Sequence, residues 1–195
     1  MTTITILESG MKFGPFQLDE CFYIEKSKIY QNIQQNLMMA EFLWLKQQKS
    51  QAKVWVVEAK SSVPREHDVY MNEVKDKLVN AFTLTLSSVL GRHEIGKNEL
   101  PALFKKLKLS SVQFGFVLVI NGVPQAYLSA LQDALQLKLK STWTGPASSH
   151  WIPGCLFSII CSTRLHGTAK WISTLQRMAI CISTNIIPLK IPELP

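Results

Sequence analysis

Several features that would assign a protein to a broad class are missing from this sequence. No apolar run approaches the roughly 20 residues that a membrane-spanning helix needs. The first residues show no basic segment followed by an apolar stretch. The four cysteines, Cys21, Cys155, Cys161 and Cys181, have no metal-ligand spacing. We therefore expect a cytoplasmic protein with reduced thiols, no secretion signal and no membrane partner.

The motifs of common small-molecule enzymes are also missing. The sequence contains no Gly-rich phosphate loop, no Ser-His-Asp arrangement and no zinc spacing, so a small-molecule enzyme is the least favoured class of function. Positive charge, by contrast, is abundant, with a formal net charge of +7 over 195 residues. Such a charge favours a polyanionic partner, and the chain is long enough for one well-filled core.

The most informative stretch is a pair of apolar segments separated by polar residues. Residues 41–45 (EFLWL) and 54–58 (VWVVE) are rich in β-branched and aromatic side chains, which predicts the two strands of a hairpin. A turn centred on residues 49–50 pairs Leu45 with Val54. Because side chains alternate between the two faces of a strand, this register decides which residues share a face.

The same register brings three charged residues together at the end of the hairpin. Glu41 stands opposite Glu58, and Lys60 projects to their face. Opposed like charges repel, and a divalent cation that takes carboxylate ligands and waits for substrate phosphate would offset the repulsion. A lysine beside such a cation can hold the attacking water or balance charge on a phosphate. The alternative is a solvated hairpin end, with Glu58 and Lys60 as a surface ion pair.

An acidic residue that opens one strand, followed by Glu-x-Lys at the end of the next, resembles the PD-(D/E)xK, or restriction-endonuclease-like, nuclease superfamily. The match covers roughly residues 21–120. The resemblance implies an α/β fold with a mixed central sheet, in which the hairpin carries Glu41 and the Glu58-x-Lys60 motif and helices flank the sheet. The sequence departs from the family pattern in two ways. Glu41 occupies a position where the family more often has Asp, and no N-terminal helix is evident.

The resemblance also implies a function. It implies a Mg²⁺- or Mn²⁺-dependent nuclease that hydrolyses phosphodiester bonds in DNA, in a setting such as restriction or anti-phage defence. Glu41, Glu58 and Lys60 would be the catalytic residues, with Lys60 orienting the attacking water. Glu41 and Glu58 would hold the metal together with the backbone carbonyl of Ala59, and Glu25 is a candidate third acid or simply an exposed residue. The alternative is a catalytically inactive interaction module of the same fold within a larger complex.

The remaining segments follow simpler patterns. Apolar residues at helical spacing predict a helix over residues 68–90, and Lys75 and Lys77 lie off its apolar face, where they would meet a nucleic-acid backbone or water. The continuous apolar run 112–120 predicts a central strand covered on both faces. Further predicted elements are strands at 3–7, 21–30 and 155–161, helices at 99–107, 125–140 and 168–182, and a loop at 93–98.

Composition divides the chain into two parts. Residues 1–140 hold the predicted restriction-endonuclease-like α/β domain. Residues 141–195 have sparse charge and frequent Trp, Cys, Ile and Pro, which predicts an apolar C-terminal extension packed on the same domain or on a partner. Because a monomer usually avoids exposing such surface, we expect a homo-oligomer or a partner subunit.

Overall fold

The computed structural model describes residues 2–33, 37–48, 51–64, 66–144 and 156–161. The strands of these ranges are β1 (Thr3–Glu8), β2 (Met11–Gln17), β3 (Cys21–Phe22), β4 (Phe42–Gln48), β5 (Gln51–Lys60), β6 (Val112–Ile120) and β7 (Leu156–Cys161). The α-helices are α1 (Lys28–Ile33), α2 (His67–Val89), α3 (Glu94–Glu99), α4 (Ala102–Lys105) and α5 (Leu128–Thr144). Short 3-10 helices cover Ile24–Lys26, Leu109–Ser111 and Gln125–Tyr127.

One mixed sheet of five strands has the order β3-β4-β5-β6-β7. Neighbouring strands from β3 to β5 are antiparallel, and those from β5 to β7 are parallel. Parallel neighbours need a crossover connection, and α2 lies in the connection from β5 to β6, as α5 does in that from β6 to β7. The predicted α/β class, with a mixed sheet flanked by helices, is confirmed.

Helices α2 and α5 cover one face of this sheet. Their buried apolar residues recur at helical spacing, so each helix turns one stripe toward the strands. The buried members of the two stripes include Met71, Val74 and Leu78 of α2 and Leu131, Leu135 and Leu139 of α5.

The β1–β2 hairpin covers the opposite face. Its apolar side chains pack with those that β4 and β5 turn to that side, among them Phe13, Phe16, Phe42, Trp44 and Trp55. Because both faces are covered, β5 is buried without interruption from Val54 to Ala59. Glu58, which lies within this stretch, is therefore buried.

The β4–β5 hairpin has the predicted register, with Leu45 paired to Val54. The pairing runs from Phe42 and Val57 at one end to Gln48 and Gln51 at the other. The strands are thus longer than predicted on the turn side, where polar residues continue the ladder. Residues 49–50, the predicted turn, lie outside the described residues.

The predicted strand 21–30 is wrong beyond its first two residues. Strand β3 ends at Phe22, and a 3-10 helix and α1 follow. The hydroxyl of Ser27 caps α1 by accepting a hydrogen bond at 3.3 Å from the N–H three residues on. The carboxylate of Glu99 accepts bonds of 3.0 and 2.8 Å from the N–H groups of the first two residues of α1. These caps, one of them from a distant part of the chain, favour a helix over the β propensity of the segment.

Local patterns predicted several other elements. The strands predicted at 3–7, 112–120 and 155–161 and the helix at 68–90 are confirmed as β1, β6, β7 and α2. The helix predicted at 125–140 begins with a 3-10 turn and continues as α5. The helix predicted at 168–182 lies outside the described residues. In the described ranges, none of the helices combines the length and the apolarity that crossing a membrane requires.

The region after α2 is more helical than predicted. Residues 93–98, predicted as a loop, belong largely to α3. At Gly96 an added Cβ would lie 2.3 Å from both Ser88 Oγ and Ile29 Cδ1, so the glycine permits close packing of α3 on α1 and α2. The helix predicted at 99–107 is only the short α4, because Pro101 has no N–H to continue α3. Strand β2 was not predicted.

The packing of α5 predicts opposite results for two leucines that are two residues apart. Leu135 is 2% exposed and Leu137 is 69% exposed. We expect Leu135→Ala to lower the free energy of unfolding by about 2–5 kcal/mol, because it removes buried methyl groups and leaves a cavity. Leu137→Ala should change it by less than about 0.5 kcal/mol. Urea unfolding followed by circular dichroism measures both, and equal losses would contradict the packing of α5.

Candidate active site

Glu41 and Glu58 lie near each other at the end of the β4–β5 hairpin, where burial and the charge of Glu58 both raise the pKa of Glu41. The backbone N–H of Glu41 donates to the carbonyl of Val57 at 3.1 Å, just beyond the ladder, which ends with Phe42 paired to Val57. Glu41 is 5% exposed and Glu58 is fully buried. The alternative of a solvated hairpin end is therefore wrong for both carboxylates.

Two lysines compensate the charge of Glu58. Its Oε1 lies 3.0 Å from Nζ of Lys77 on α2 and 3.5 Å from Nζ of Lys60. Lys60 also pairs with Glu73 Oε1 at 2.6 Å, and its Nζ lies 5.8 Å from the centre of the Tyr70 ring. Burial nevertheless outweighs the two ammonium groups and raises the pKa of Glu58 to about 6.

Two further carboxylates gather at the side chain of Glu41. One carboxylate oxygen from each of Glu8, Glu25 and Glu41 lies within 4.8 Å of the others. Glu25 belongs to the 3-10 helix after β3, and its N–H donates to the carbonyl of Glu41 at 3.2 Å. Glu8 ends β1 and accepts a hydrogen bond from the hydroxyl of Tyr23. We call Glu8, Glu25 and Glu41 the acidic cluster.

The two acids of the hairpin therefore differ in their electrostatic surroundings. Within the described part of the chain, Glu41 Oε2 and both carboxylate oxygens of Glu58 have no hydrogen-bond partner, but Glu58 Oε1 has two ion pairs. Burial is the largest cause that raises the pKa of Glu41, followed by the charge of Glu58 and by Glu25 and Glu8. Glu58 has ammonium groups beside it, whereas Glu41 has carboxylates.

The carbonyl of Ala59 opens to the same end of the sheet. It accepts a hydrogen bond of 2.9 Å from Ser9 Oγ, in the turn that joins β1 to β2. Ser9 and Gly10 both have positive φ angles, 51° and 72°, which lets this tight turn reach the end of β5. A carbonyl oxygen has two lone pairs, so the predicted role of Ala59 as a metal ligand stays a prediction.

The two lysines predicted to bind nucleic acid have different surroundings. The Nζ of Lys75 pairs with Asp76 Oδ1 at 2.8 Å. Lys77 points inward to Glu58, and its side chain is 17% exposed. The role of Lys75 stays a prediction, and the ammonium of Lys77 is occupied inside the site.

A cavity gives access to the partners of Lys60. It has a volume of about 380 Å³ and is lined by Pro64, Glu66, Val69, Tyr70 and Glu73. A larger cavity of about 550 Å³ lies between α2 and α5, and Glu41, Glu58 and Lys60 are absent from its described lining. These three residues are absent from the described lining of the smaller cavity too, but two residues that line it, Tyr70 and Glu73, contact Lys60, so the smaller cavity is the one beside the site.

Sequence reasoning placed Glu41, Glu58 and Lys60 at one end of the hairpin but missed three participants. Glu8 and Tyr23 reach the site through the β1–β2 hairpin and the segment after β3, and Glu73 reaches Lys60 from α2. The one signal in the sequence is that Glu8 interrupts the apolar alternation of β1 just before a Ser-Gly turn. That signal does not reveal a partner more than thirty residues away.

The raised pKa of Glu41 predicts how stability depends on pH without metal. The folded pKa lies above the ordinary value of 4.5, so stability from this group is present below about pH 4.5 and is lost as the pH rises toward the folded pKa. We expect Glu41→Gln to gain at least about 1.4 kcal/mol over the parent between pH 4.5 and 8, since one pKa unit corresponds to that energy.

Denaturant unfolding in chelator at several pH values measures this difference. The exposed Glu94 provides the control, because Glu94→Gln makes the same chemical change away from the site and should follow the parent at each pH. If the difference in the free energy of unfolding between Glu41→Gln and the parent does not grow with pH, then ionisation of Glu41 does not destabilise the fold.

Comparison of the chain with protein-family models, with curated proteins and with solved structures finds no match. The case for a function therefore rests on the side chains of the site and on the motif they form.

Proposed function

We propose that this chain is a Mg²⁺- or Mn²⁺-dependent nuclease that hydrolyses phosphodiester bonds in DNA. The observation that carries the proposal is Glu41, a buried carboxylate near further carboxylates and the Glu58–Lys60 pair, with one oxygen that has no hydrogen-bond partner among the described residues. The β4–β5 hairpin, followed by α2 and then by β6 parallel to β5, adds support, because the core that the motif resembles ends in the same β-β-α-β order; here α1 stands between β3 and β4.

The donor set around Glu41 fits a hard divalent cation. Such cations prefer carboxylate and carbonyl oxygens and keep several waters, and a buried carboxylate oxygen without a partner is costly unless something satisfies it. The oxygens that would hold the cation come from Glu41 and Glu25, with Glu58 and the Ala59 carbonyl as further candidates. When bound, a cation here lowers the pKa of its water and neutralises charge on the scissile phosphate.

Lys60 is the group that would contact the substrate phosphate or the attacking water. Glu58 and Glu73 hold its ammonium from two sides, and the ring of Tyr70 lies beside it. The side chain of Glu73 is 38% exposed, so its ion pair with Lys60 contributes little to stability and can open when a phosphate arrives. Glu58, by contrast, is buried and keeps Lys60 in place.

The net charge of +7 and the resemblance of the motif support DNA as the polyanion. A lysine such as Lys75, whose side chain is 23% exposed, would contact the backbone beside the scissile phosphate. The proposed partner subunit or second copy concerns residues 141–195, most of which lie outside the described residues. We keep the setting in restriction or anti-phage defence as part of the proposal.

One observation favours the second candidate, an inactive interaction module of the same fold. Glu58 already has two ammonium groups within 3.5 Å, so this half of the site is electrically balanced without a metal. A protein that had lost metal binding could retain these ion pairs for stability alone. The two candidates differ in one expected result: chelator stops DNA cleavage by a nuclease, whereas an inactive module cleaves no DNA with or without chelator.

Incubation of the chain with plasmid DNA tests the proposal. We expect nicking in Mg²⁺ or Mn²⁺, none in chelator, and at least a hundredfold slower nicking by Lys60→Ala, because general acid–base and electrostatic groups contribute about 10²–10⁴-fold. Lys60→Met should be equally slow while it keeps the apolar stem beside Tyr70. Lys106, which is exposed on α4's C-terminal side, gives the control Lys106→Ala.

Circular dichroism shows whether each variant keeps the parent fold. Nicking by folded Lys60→Ala or Lys60→Met at the parent rate would remove Lys60 from the mechanism. No nicking by the parent in either metal would favour the interaction module.

A further inference from the structure

We propose that Glu8, at the end of β1, binds a divalent cation together with Glu25 and Glu41, and that this cation ties the β1–β2 hairpin to the central sheet. The proposal deepens the proposed function and rests on it for any catalytic meaning. Cation binding itself can be measured without nucleic acid, so the two can fail separately.

The acidic cluster carries a surplus of negative charge. Its members come from three separate elements, yet one oxygen of each lies within 4.8 Å of the others. In the described part of the chain, the ammonium that pairs with the cluster is that of Lys26, at 3.4 Å from Glu25 and 4.0 Å from Glu8. The Lys26 side chain is 62% exposed, and such surface pairs offset little charge.

The second observation is the state of Glu41 itself. Glu41 is only 5% exposed, and its Oε2 atom has no hydrogen-bond partner among the described residues. Such an oxygen should find a proton donor or a cation, because leaving it unsatisfied is costly. Without a cation, Glu41 and Glu25 can share one proton, and a cation that displaces this proton would satisfy all three carboxylates.

The exposure of the other two ligands indicates the kind of cation. The side chains of Glu8 and Glu25 are 20% and 27% exposed, so water can reach the cluster and complete a coordination shell. Mg²⁺ and Mn²⁺ commonly keep several waters beside a few carboxylates, whereas a structural zinc site uses Cys and His. The cluster therefore suits Mg²⁺ or Mn²⁺.

Glu8 is held in place as a ligand would be. The hydroxyl of Tyr23 donates to Glu8, and the next residue, Ser9, donates to the carbonyl of Ala59 at 2.9 Å. Hydrogen bonds of this kind orient ligating carboxylates in metal sites. Because Ser9 is bonded to Ala59, a cation bound to Glu8 would lie where the β1–β2 hairpin meets the end of β5.

Glu58 falls outside this ligand set. Its Oε1 lies 3.0 and 3.5 Å from two ammonium groups, which would repel a cation. We assign Glu58 to positioning Lys60 and Lys77. This assignment differs from the metal role that the motif implies for Glu58, and it makes the proposal testable with matched Glu→Gln variants.

Titration of the metal-free full chain with Mn²⁺, by calorimetry and by the electron paramagnetic resonance of free Mn²⁺, is the first measurement. We expect Glu8→Gln, Glu25→Gln and Glu41→Gln each to weaken binding at least about tenfold, which is the loss that even an outer-shell partner can cause. Glu58→Gln should weaken binding less than any of these three, because it removes a neighbouring charge but no ligand, and the exposed control Glu94→Gln should stay within about twofold of the parent.

Tyr23→Phe separates the carboxylate of Glu8 from its hydrogen bond. It removes the hydroxyl but keeps all three carboxylates, so Mn²⁺ binding should survive with a loss smaller than that of Glu8→Gln. Hydrogen exchange read by mass spectrometry supplies a second readout. Mg²⁺ should slow amide exchange in β1 and β2 of the parent, and should leave it unchanged in Glu8→Gln.

Three results would overturn the proposal: a parent that binds no Mn²⁺, a folded Glu8→Gln variant that binds Mn²⁺ like the parent, or a Glu58→Gln variant that loses binding while Glu8→Gln keeps it. If the parent binds Mn²⁺ through Glu8 but does not cut DNA, the cation site stands and the nuclease proposal fails. If it cuts DNA and Glu8→Gln binds Mn²⁺ normally, the nuclease proposal stands and this one fails.

Discussion

The site depends on the pairing of β4 with β5 in one register. Both faces of the sheet are covered, by α2 and α5 on one side and by the β1–β2 hairpin on the other. A slip of one residue would exchange every side chain between these faces, and would move Glu58 and Lys60 together away from Glu41 and from Lys77 of α2. The apolar residues of the two strands therefore hold the register, and the charged residues follow from it.

Burial then makes each charge dependent on its neighbours. A buried carboxylate is stable in its ionised form only with partners, and removing one partner is costly. On the α2 side, Lys60 and Lys77 supply partners to Glu58. On the side of the β1–β2 hairpin, Glu41 meets Glu8 and Glu25 instead. The two halves of the site therefore differ in chemistry. The half around Glu58 holds the ammonium groups of lysines, and the half around Glu41 suits a metal cation.

Local sequence patterns were enough for the hairpin and its motif. The apolar alternation of the two strands and a polar turn fixed Leu45 opposite Val54, and the continuous apolar run of β6 marked a strand covered on both faces. The segment after β3 could not be predicted in this way, because the carboxylate that caps α1 belongs to Glu99, the last residue of α3, which is far away in the sequence. Glu8 was missed for the same reason, because the local sequence of a hairpin does not show which part of the sheet the hairpin packs against. Helical periodicity set Lys77 off the apolar face of α2, but only the position of Glu58 explains why its ammonium points inward.

The most direct test of a cation at Glu41 is to locate it. Crystals of the metal-free chain soaked in MnCl₂, with data collected near the Mn absorption edge, give an anomalous difference map that needs neither substrate nor activity. We predict one peak bounded by the carboxylates of Glu8, Glu25 and Glu41, with the ammonium of Lys60 outside its coordination shell. An empty cluster, or a peak held by Glu58 with Glu8 turned away, would contradict the cation site described above.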